Sequence, residues 1–127
     1  MALSAQQIQE RLTASRNIWF ATVRAGGAPH LIPIWFVVHR GHIYICTAPD
    51  SVKIRNLRRN PRVALALEDG SIPVILEGTA VVMDNAATPA EVSASFKLKY
   101  DWDILSSEQY SVVVEVTPTK TLSWQGE

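Results

Sequence analysis

The residues best suited to chemistry lie between Thr47 and Lys53, where a β-branched and aromatic run gives way to a polar turn and a helix. The turn sequence predicts Asp50 or Ser51 as the helix N-cap. A helix N-terminus offers unpaired backbone N–H groups, and the hydroxyls of Thr47 and Ser51 with the Lys53 ammonium add charge-assisted donors. The stretch therefore predicts a phosphate site. On these residues alone an ordinary capped surface helix is an equal alternative, because helix caps are common.

Two further groups of side chains have simpler interpretations. His39 and His42 flank a predicted turn, but no carboxylate or cysteine joins them at the spacing of a four-ligand site, so we expect no metal. Cys46 is the only cysteine and lies in an apolar strand pattern, which excludes an internal disulfide and predicts a buried, unreactive thiol.

Length and charge limit the classes of protein that fit. At 127 residues and 14.1 kDa the chain is predicted to form a single domain, residues 1–127. Lys plus Arg equal Asp plus Glu at 12 each, so no net charge attracts nucleic acid or anionic lipid. The apolar run 31–38 is far shorter than the ~20 residues of a membrane helix, and the N-terminus lacks the apolar core of a signal peptide. We expect a cytoplasmic protein.

Strand and turn signals follow one another with only short helices between them. Helices are predicted after capping boxes that begin at Ser4 and Thr88, and in the stretch from Ser51 to Asn60. Strands are predicted over residues 18–24, 29–38, 42–47, 62–68, 72–83 and 110–116, with a further short one over 119–124. This succession predicts a mainly β, α+β fold: a small antiparallel barrel with short helices at its rim.

Two residues predict irregular points in these strands. Pro33 cannot donate a ladder hydrogen bond, so its strand should be an edge there, or bulged, or face something other than a strand. Gly78 lies inside a long β-branched run, where a bulge or a sharp barrel bend is expected.

Three motifs together resemble a known family. They are Gly27-x-Pro29-His30-x-x-Pro33-x-Trp35-Phe36; Thr47 and Ser51 with Lys53-x-x-Asn56-Leu57-x-x-Asn60-Pro61-Arg62-Val63; and Glu77-Gly78-Thr79-Ala80. In order and spacing they resemble the pyridoxamine 5'-phosphate oxidase-like, FMN-binding split-barrel family, especially its small members thought to use FMN or the deazaflavin F420. The resemblance covers roughly residues 14 to 83.

The resemblance implies a split β-barrel, a homodimer with the cofactor between subunits, and an oxidoreductase that transfers hydride to or from a small organic substrate. FMN is the leading cofactor and F420 the alternative. The resemblance places the cofactor's phosphate at the turn and helix start between Thr47 and Lys53. It places the isoalloxazine ring along the strand around Pro33. The residues implied in cofactor binding are Pro33, Ile34, Trp35, Thr47, Ser51, Val52 and Lys53.

A row of arginines bears on the choice between FMN and F420. Arg55, Arg58 and Arg59 recur on one helix face beside the predicted phosphate site. F420 continues beyond its phosphodiester into a chain of glutamates, which such a face would hold, so Arg58 is a further predicted cofactor contact. The alternative is arginines that face solvent or exposed carboxylates, where ion pairs contribute only ~0–1 kcal/mol.

Departures from the family pattern also carry information. Pyridoxamine phosphate oxidases hold the substrate phosphate with Arg and His near the C-terminus, whereas this chain has no histidine after His42, so we do not expect vitamin B6 oxidation. Catalytic residues remain unassigned, because a flavin itself carries the hydride chemistry. A non-catalytic cofactor- or haem-binding protein is the alternative, with His30, His39 and His42 as the available haem ligands. A nucleic-acid-binding barrel is disfavoured, since the basic segment 53–62 has no aromatic residue for base stacking.

Overall fold

The computed structural model describes residues 1–125 and confirms the predicted mainly β, α+β split barrel. Its helices are α1 (Ala5–Ala14), α2 (Val52–Arg59) and α3 (Ala90–Tyr100). Its strands are β1 (Ile18–Val23), β2 (Pro29–Ile34), β3 (Val37–His39), β4 (His42–Thr47), β5 (Arg62–Leu67), β6 (Val74–Asp84) and β7 (Val112–Ser123). None of these three helices is long and apolar enough to cross a membrane.

One antiparallel sheet contains all seven strands, in the order β2-β1-β5-β6-β7-β4-β3. Its two edge strands, β2 and β3, are consecutive in the chain and separated only by Trp35 and Phe36. The sheet must therefore curve until its edges meet, and the barrel is split at these two residues. Pro33 lies on edge strand β2 opposite Trp19, which confirms the expectation from its missing N–H.

Buried and more exposed side chains alternate along the strands, so one face of the sheet forms the inside of the barrel. On β5, Val63, Leu65 and Leu67 are buried while Ala64 and Ala66 on the other face are half-buried. A second apolar cluster lies where α3 covers the sheet, with Val92 and Phe96 fully buried. Burial of this kind contributes roughly 1.5–3 kcal/mol for each large side chain, so it fixes the helices that flank the split.

The first capping box is confirmed and the second is wrong. The Ser4 hydroxyl accepts from the Gln7 N–H at 3.1 Å, and the Gln7 side chain accepts in return from the Ser4 N–H at 2.8 Å. Thr88 instead donates its hydroxyl to the Asn85 carbonyl at 2.7 Å, because a short 3₁₀ turn over Asn85–Ala87 precedes α3. Pro89 is then the N-cap of α3 rather than its first helical residue.

Two predicted strand boundaries are also wrong. The strand expected over 29–38 is two strands, because the chain leaves the sheet at Trp35 and Phe36. The strands expected over 110–116 and 119–124 form one strand, β7, which begins at Val112. Pro118 does not interrupt β7: it lies opposite Gly78, beside a register shift between β6 and β7 that leaves Thr119 of β7 without a partner in the register. The bulge expected at Gly78 is thus present, and it accommodates the proline of the neighbouring strand.

Candidate functional site

A cavity of about 740 Å³ opens beside the split between β2 and β3. Three walls line it: the end of β2; the end of β4 with the start of α2; and the C-terminal end of α3 with the segment after it, against which Trp35 packs. The residues that line it are Asn17, Pro33, Ile34, Trp35, Cys46, Thr47, Lys53, Tyr100, Asp101, Trp102 and Tyr110.

The site residues expected from sequence divide into those that line this cavity and those that do not. Pro33, Ile34, Trp35, Thr47 and Lys53 line it. The remaining three, Ser51, Val52 and Arg58, do not: Ser51 and Val52 are half-buried at the start of α2, and Arg58 is exposed in its last turn.

Helix α2 holds Lys53 at the cavity through its buried face. Ile54 and Leu57 are buried in the core, and Asn56 donates its side-chain amide to the hydroxyl of Thr22 on β1 at 3.0 Å. Lys53 is left half-buried, and burial lowers the pKa of its ammonium. It makes no ion pair with any of residues 1–125, so a half-buried cation lines the cavity without a counter-charge from the described part of the chain.

The N-terminus of α2 has no side-chain cap. Ser51 occupies the N-cap position, as predicted, but its hydroxyl donates to the Ala48 carbonyl at 3.0 Å instead of accepting from the helix. The backbone N–H groups of the first turn therefore keep their hydrogen-bonding capacity for another acceptor.

The third wall is mainly aromatic, and of its residues only Trp35 was anticipated from sequence. Trp35 stacks on Tyr100 with ring centroids 4.4 Å apart and planes 9° apart. Trp102 meets Trp35 edge to face at 6.1 Å and Tyr110 at 5.8 Å. The aromatic character of these residues was visible in the sequence, but no spacing rule joins residue 35 to residues 100–110, so only tertiary structure brings them together.

The Tyr100 hydroxyl replaces the sheet partner that the barrel lacks at the split. It accepts from the Phe36 N–H at 3.0 Å and lies 2.8 Å from the carbonyl oxygens of both Phe36 and Arg16, to which it donates its proton. A backbone group left unpaired at this buried point would cost roughly 1–3 kcal/mol. Tyr100 thus fixes the position of Trp35 as well as stacking on it.

Lys99, the neighbour of Tyr100 in α3, links the backbone of Phe36 to helix α1. Its ammonium donates to the carbonyls of Phe36 at 3.1 Å and Leu12 at 3.4 Å, and lies 4.0 Å from the centroid of the Phe36 ring. Burial, with repulsion from Arg16 as the second cause, lowers the pKa of Lys99 to about 8.

We expect this shift to make the stability of the fold rise in mildly alkaline solution. Above about pH 8 folded Lys99 has lost its proton, while the unfolded chain keeps it until about pH 10.5, so unfolding then requires proton uptake. After discounting for its half-exposed position, Lys99 should contribute about 1 kcal/mol to the free energy of unfolding between pH 8 and 10. The raised pKa of the Cys46 thiol acts in the opposite direction above about pH 9, so the contribution of Lys99 is read as the difference between the wild-type chain and Lys99→Met. The neutral amine still donates hydrogen bonds, so both carbonyls stay satisfied.

Chemical denaturation at pH 7.5, 9 and 10 measures this gain, with Lys99→Met as the matched control. Lys53, whose pKa is also lowered, titrates in both proteins and cancels in the comparison. A gain of the same size in Lys99→Met would show that Lys99 is not its source.

The remaining histidine and cysteine side chains either do not line the cavity or are unreactive. The Nδ1 atom of His30, on β2, is buried and has no hydrogen-bond partner among the described residues, and burial and nearby Arg24 and Lys53 lower its pKa. His42 Nδ1 lies 3.1 Å from the Thr117 hydroxyl. No three His, Cys, Asp or Glu side chains within residues 1–125 form a metal-binding group.

Cys46 is buried, as predicted, although it also lines the cavity. Burial raises the pKa of its thiol to about 11, and the sulfur donates to the Tyr110 carbonyl at 3.4 Å. The thiol is therefore protonated at neutral pH and is a poor nucleophile.

The sequence profile of one family matches nearly the whole chain. That family is described as pyridoxamine 5'-phosphate oxidase, and the match runs over residues 4–125. The chain belongs to this family, and the resemblance drawn from the three motifs is confirmed. None of the curated proteins matches the chain.

Solved structures with the same fold include proteins of different described roles. The conserved hypothetical protein Rv2991 from Mycobacterium tuberculosis is 30% identical, with a TM-score of 0.85 over 98% of this chain and 86% of its own. A protein described as an F420 reductase is 20% identical, with a TM-score of 0.75 over 90% and 94%. The haem storage protein HutZ from Vibrio cholerae is also 20% identical, with a TM-score of 0.79 over 99% and 98%. The last two likenesses concern the fold alone.

Proposed function

We propose that the chain binds a phosphate-bearing flavin or deazaflavin in this cavity and acts as an oxidoreductase on a small organic substrate. FMN leads and F420 is the alternative. The observation that carries the proposal is that Lys53, a half-buried cation with no ion-pair partner among residues 1–125, lies in the same cavity as Pro33 and Trp35. The helix-terminus chemistry and the family resemblance selected Lys53 by separate arguments, whereas the resemblance alone selected Trp35.

At one end, the cavity suits an anion. Lys53 supplies charge, Thr47 a buried hydroxyl, and the uncapped first turn of α2 its backbone N–H groups. A phosphate there would gain charge-assisted hydrogen bonds from groups that the fold already holds in place.

Along β2, the cavity suits a flat ring. Pro33 and Ile34 belong to an edge strand, whose outer backbone groups have no strand partner. A ring with hydrogen-bonding edges can use such groups as a neighbouring strand would.

The chemistry would come from the cofactor, since a bound flavin or deazaflavin supplies hydride transfer. The side chains in the cavity are poorly suited to proton transfer at neutral pH. The Cys46 thiol stays protonated, the Tyr100 hydroxyl is held by backbone groups, and the Asp101 carboxylate lies 2.7 Å from the Lys97 ammonium. We therefore propose that the protein binds the cofactor, orients its ring and excludes water from it.

Absorption titrations of the full chain with FMN, F420 and haem test the proposal. A flavin or deazaflavin should bind at one equivalent per chain and lose its visible absorbance on reduction. A Soret band with haem and no binding of either ring would instead support the non-catalytic haem-binding alternative. The feature that favours that alternative is His30, whose buried Nδ1 has no described partner and whose lowered pKa keeps it neutral.

The arginines of α2 provide a test of FMN against F420. Arg55, Arg58 and Arg59 are exposed and make no ion pair with a described residue. If they hold a glutamate chain, F420 should bind at least tenfold tighter than FMN, about 1.4 kcal/mol. Calorimetry should show this advantage lost in Arg58→Ala/Arg59→Ala and at high salt. Equal affinities, or an FMN preference unaffected by the double substitution, would contradict the F420 alternative.

We also propose that the chain is a homodimer. The outer face of β1 and β2 is apolar and exposed, with Trp19 38% and Leu31 59% accessible on neighbouring strands. Apolar patches of this kind mark interaction surfaces, and a two-fold axis would bury the patch against itself.

Sedimentation of the full chain should give twice 14.1 kDa. Leu31→Asp should lower the apparent mass toward that of the monomer, because it places a charge in the buried interface. Leu98→Asp is the matched control, since Leu98 is 91% exposed on α3. A monomer at micromolar concentration that still binds cofactor tightly would refute a shared site.

A further inference from the structure

We infer that the third wall of the cavity is a stacking site for a planar, conjugated substrate ring. This wall, the aromatic corner, consists of Trp35, Trp102 and Tyr110, with Tyr100 behind Trp35. The inference deepens the proposed oxidoreductase function and rests on it for the identity of the ring as substrate. The cavity can still be tested for ring binding without any cofactor.

Trp35 is held rigidly but leaves surface accessible. Tyr100 covers one face of its indole, and the Tyr100 hydroxyl is fixed by backbone groups of Phe36 and Arg16. The Arg16 guanidinium carbon is 5.1 Å from the centroids of both stacked rings, so it lies on the Tyr100 side of Trp35 and not over its opposite face. Trp35 remains 39% exposed.

Trp102 and Tyr110 complete the corner at nearly right angles. Their ring planes meet at 88°, and Trp102 makes a third edge contact, at 5.7 Å, with the fully buried Phe96. Tyr110 is 39% exposed. Because Trp102 and Trp35 are braced by Phe96 and Tyr100, a ligand would lose little binding free energy to ordering them.

The chemistry of the corner indicates the class of ligand. Among the described residues that line the cavity, Asp101 is the charged residue beside the corner, and its carboxylate already pairs with Lys97. The Arg16 guanidinium lies outside this lining, beside the stacked rings of Trp35 and Tyr100. Lys53 belongs to the wall formed by the end of β4 and the start of α2, where it is assigned to the phosphate. Recognition at the corner would therefore depend on ring stacking and apolar contact, which favours a flat aromatic or quinonoid molecule over a sugar or an aliphatic acid.

Equilibrium dialysis with naphthol and its fully hydrogenated counterpart, decahydronaphthol, tests this inference on the full chain. The two probes share a hydroxyl and similar bulk but differ in planarity. We expect naphthol to bind about fivefold tighter or more, a preference of the size that ring stacking supplies. Trp102→Leu should abolish this preference, and Trp124→Leu, at an exposed tryptophan that does not line the cavity, should retain it. Equal binding of both probes, or a preference that survives Trp102→Leu, would overturn the inference.

Two further measurements separate the effect of misfolding from lost binding, and a substrate ring from the cofactor ring. Tyr110→Leu, at a more exposed position, replaces Trp102→Leu if melting curves show that the latter does not fold. Naphthol binding is also measured with FMN, or F420, at saturation. Retained binding supports a substrate ring beside the cofactor, whereas displacement would mean that the corner holds the cofactor ring and would overturn the assignment to substrate. If neither cofactor binds, the proposed function fails, and the planar preference is still measured on the cofactor-free chain.

Discussion

Replacing Lys53 with alanine is expected to weaken cofactor binding by about 1.5–3 kcal/mol, roughly ten- to 150-fold, the range for a hydrogen bond to a charged group. Lys53 is half-buried on the cavity wall without an ion-pair partner among residues 1–125. A phosphate bound there would therefore meet an ammonium that is shielded from water and already in position. Fluorescence titration with FMN and with F420 measures the loss.

Lys120→Ala is the matched control, because Lys120 is an exposed lysine on β7 that does not line the cavity. It should leave both dissociation constants unchanged. An unchanged constant in Lys53→Ala, in a protein whose melting temperature is also unchanged, would place the phosphate elsewhere and undercut the assignment of this end of the cavity.

The second large effect is on stability: Gly78→Ala should lower the free energy of unfolding by about 3 kcal/mol or more. A Cβ at Gly78 would lie 2.2 Å from the Thr117 carbonyl oxygen and 2.9 Å from the Pro118 Cα. Both are backbone atoms of the neighbouring strand, so no side-chain rotation relieves the overlap, and the bulge between β6 and β7 must open.

Urea denaturation of Gly78→Ala and Gly70→Ala measures the difference between a crowded glycine and an open one. At Gly70 an added Cβ meets nothing within 4 Å, so the substitution should change stability by only about 0.5 kcal/mol. Equal losses in the two variants would show that the contact at Thr117 does not limit the residue at position 78.

Local sequence rules predicted the parts of the fold that local interactions determine. Pro33 lacks an N–H and lies on an edge strand, and Gly78 lies at the bulge. The same rules failed where a distant residue supplies the missing partner. The last strand was predicted as two, over 110–116 and 119–124, but it continues unbroken through Pro118, which lies opposite Gly78 beside the register shift.

In the candidate site, too, sequence rules found the residues that are adjacent in the chain and missed those that only the fold brings together. Thr47 and Lys53 could be selected because a strand, a turn and a helix start are adjacent in sequence. Tyr100 and Trp102 could not, since they reach the cavity only when α3 packs over the split and Tyr100 bonds to the backbone of Phe36. Ser51 is the N-cap of α2, one of the two positions predicted, although its hydroxyl donates to the Ala48 carbonyl within its own turn and does not cap the helix.

The central claim is that the cavity binds a flavin-type ring through a phosphate held at Lys53. The most direct test is calorimetry with each ring system in two forms: FMN against riboflavin, and F420 against the deazaflavin without its phosphodiester chain. We predict that at least one pair shows a tenfold or greater preference for the phosphate-bearing form, about 1.4 kcal/mol, and that Lys53→Ala removes that preference. Equal affinity within both pairs, or a phosphate preference that Lys53→Ala leaves intact, would contradict the account.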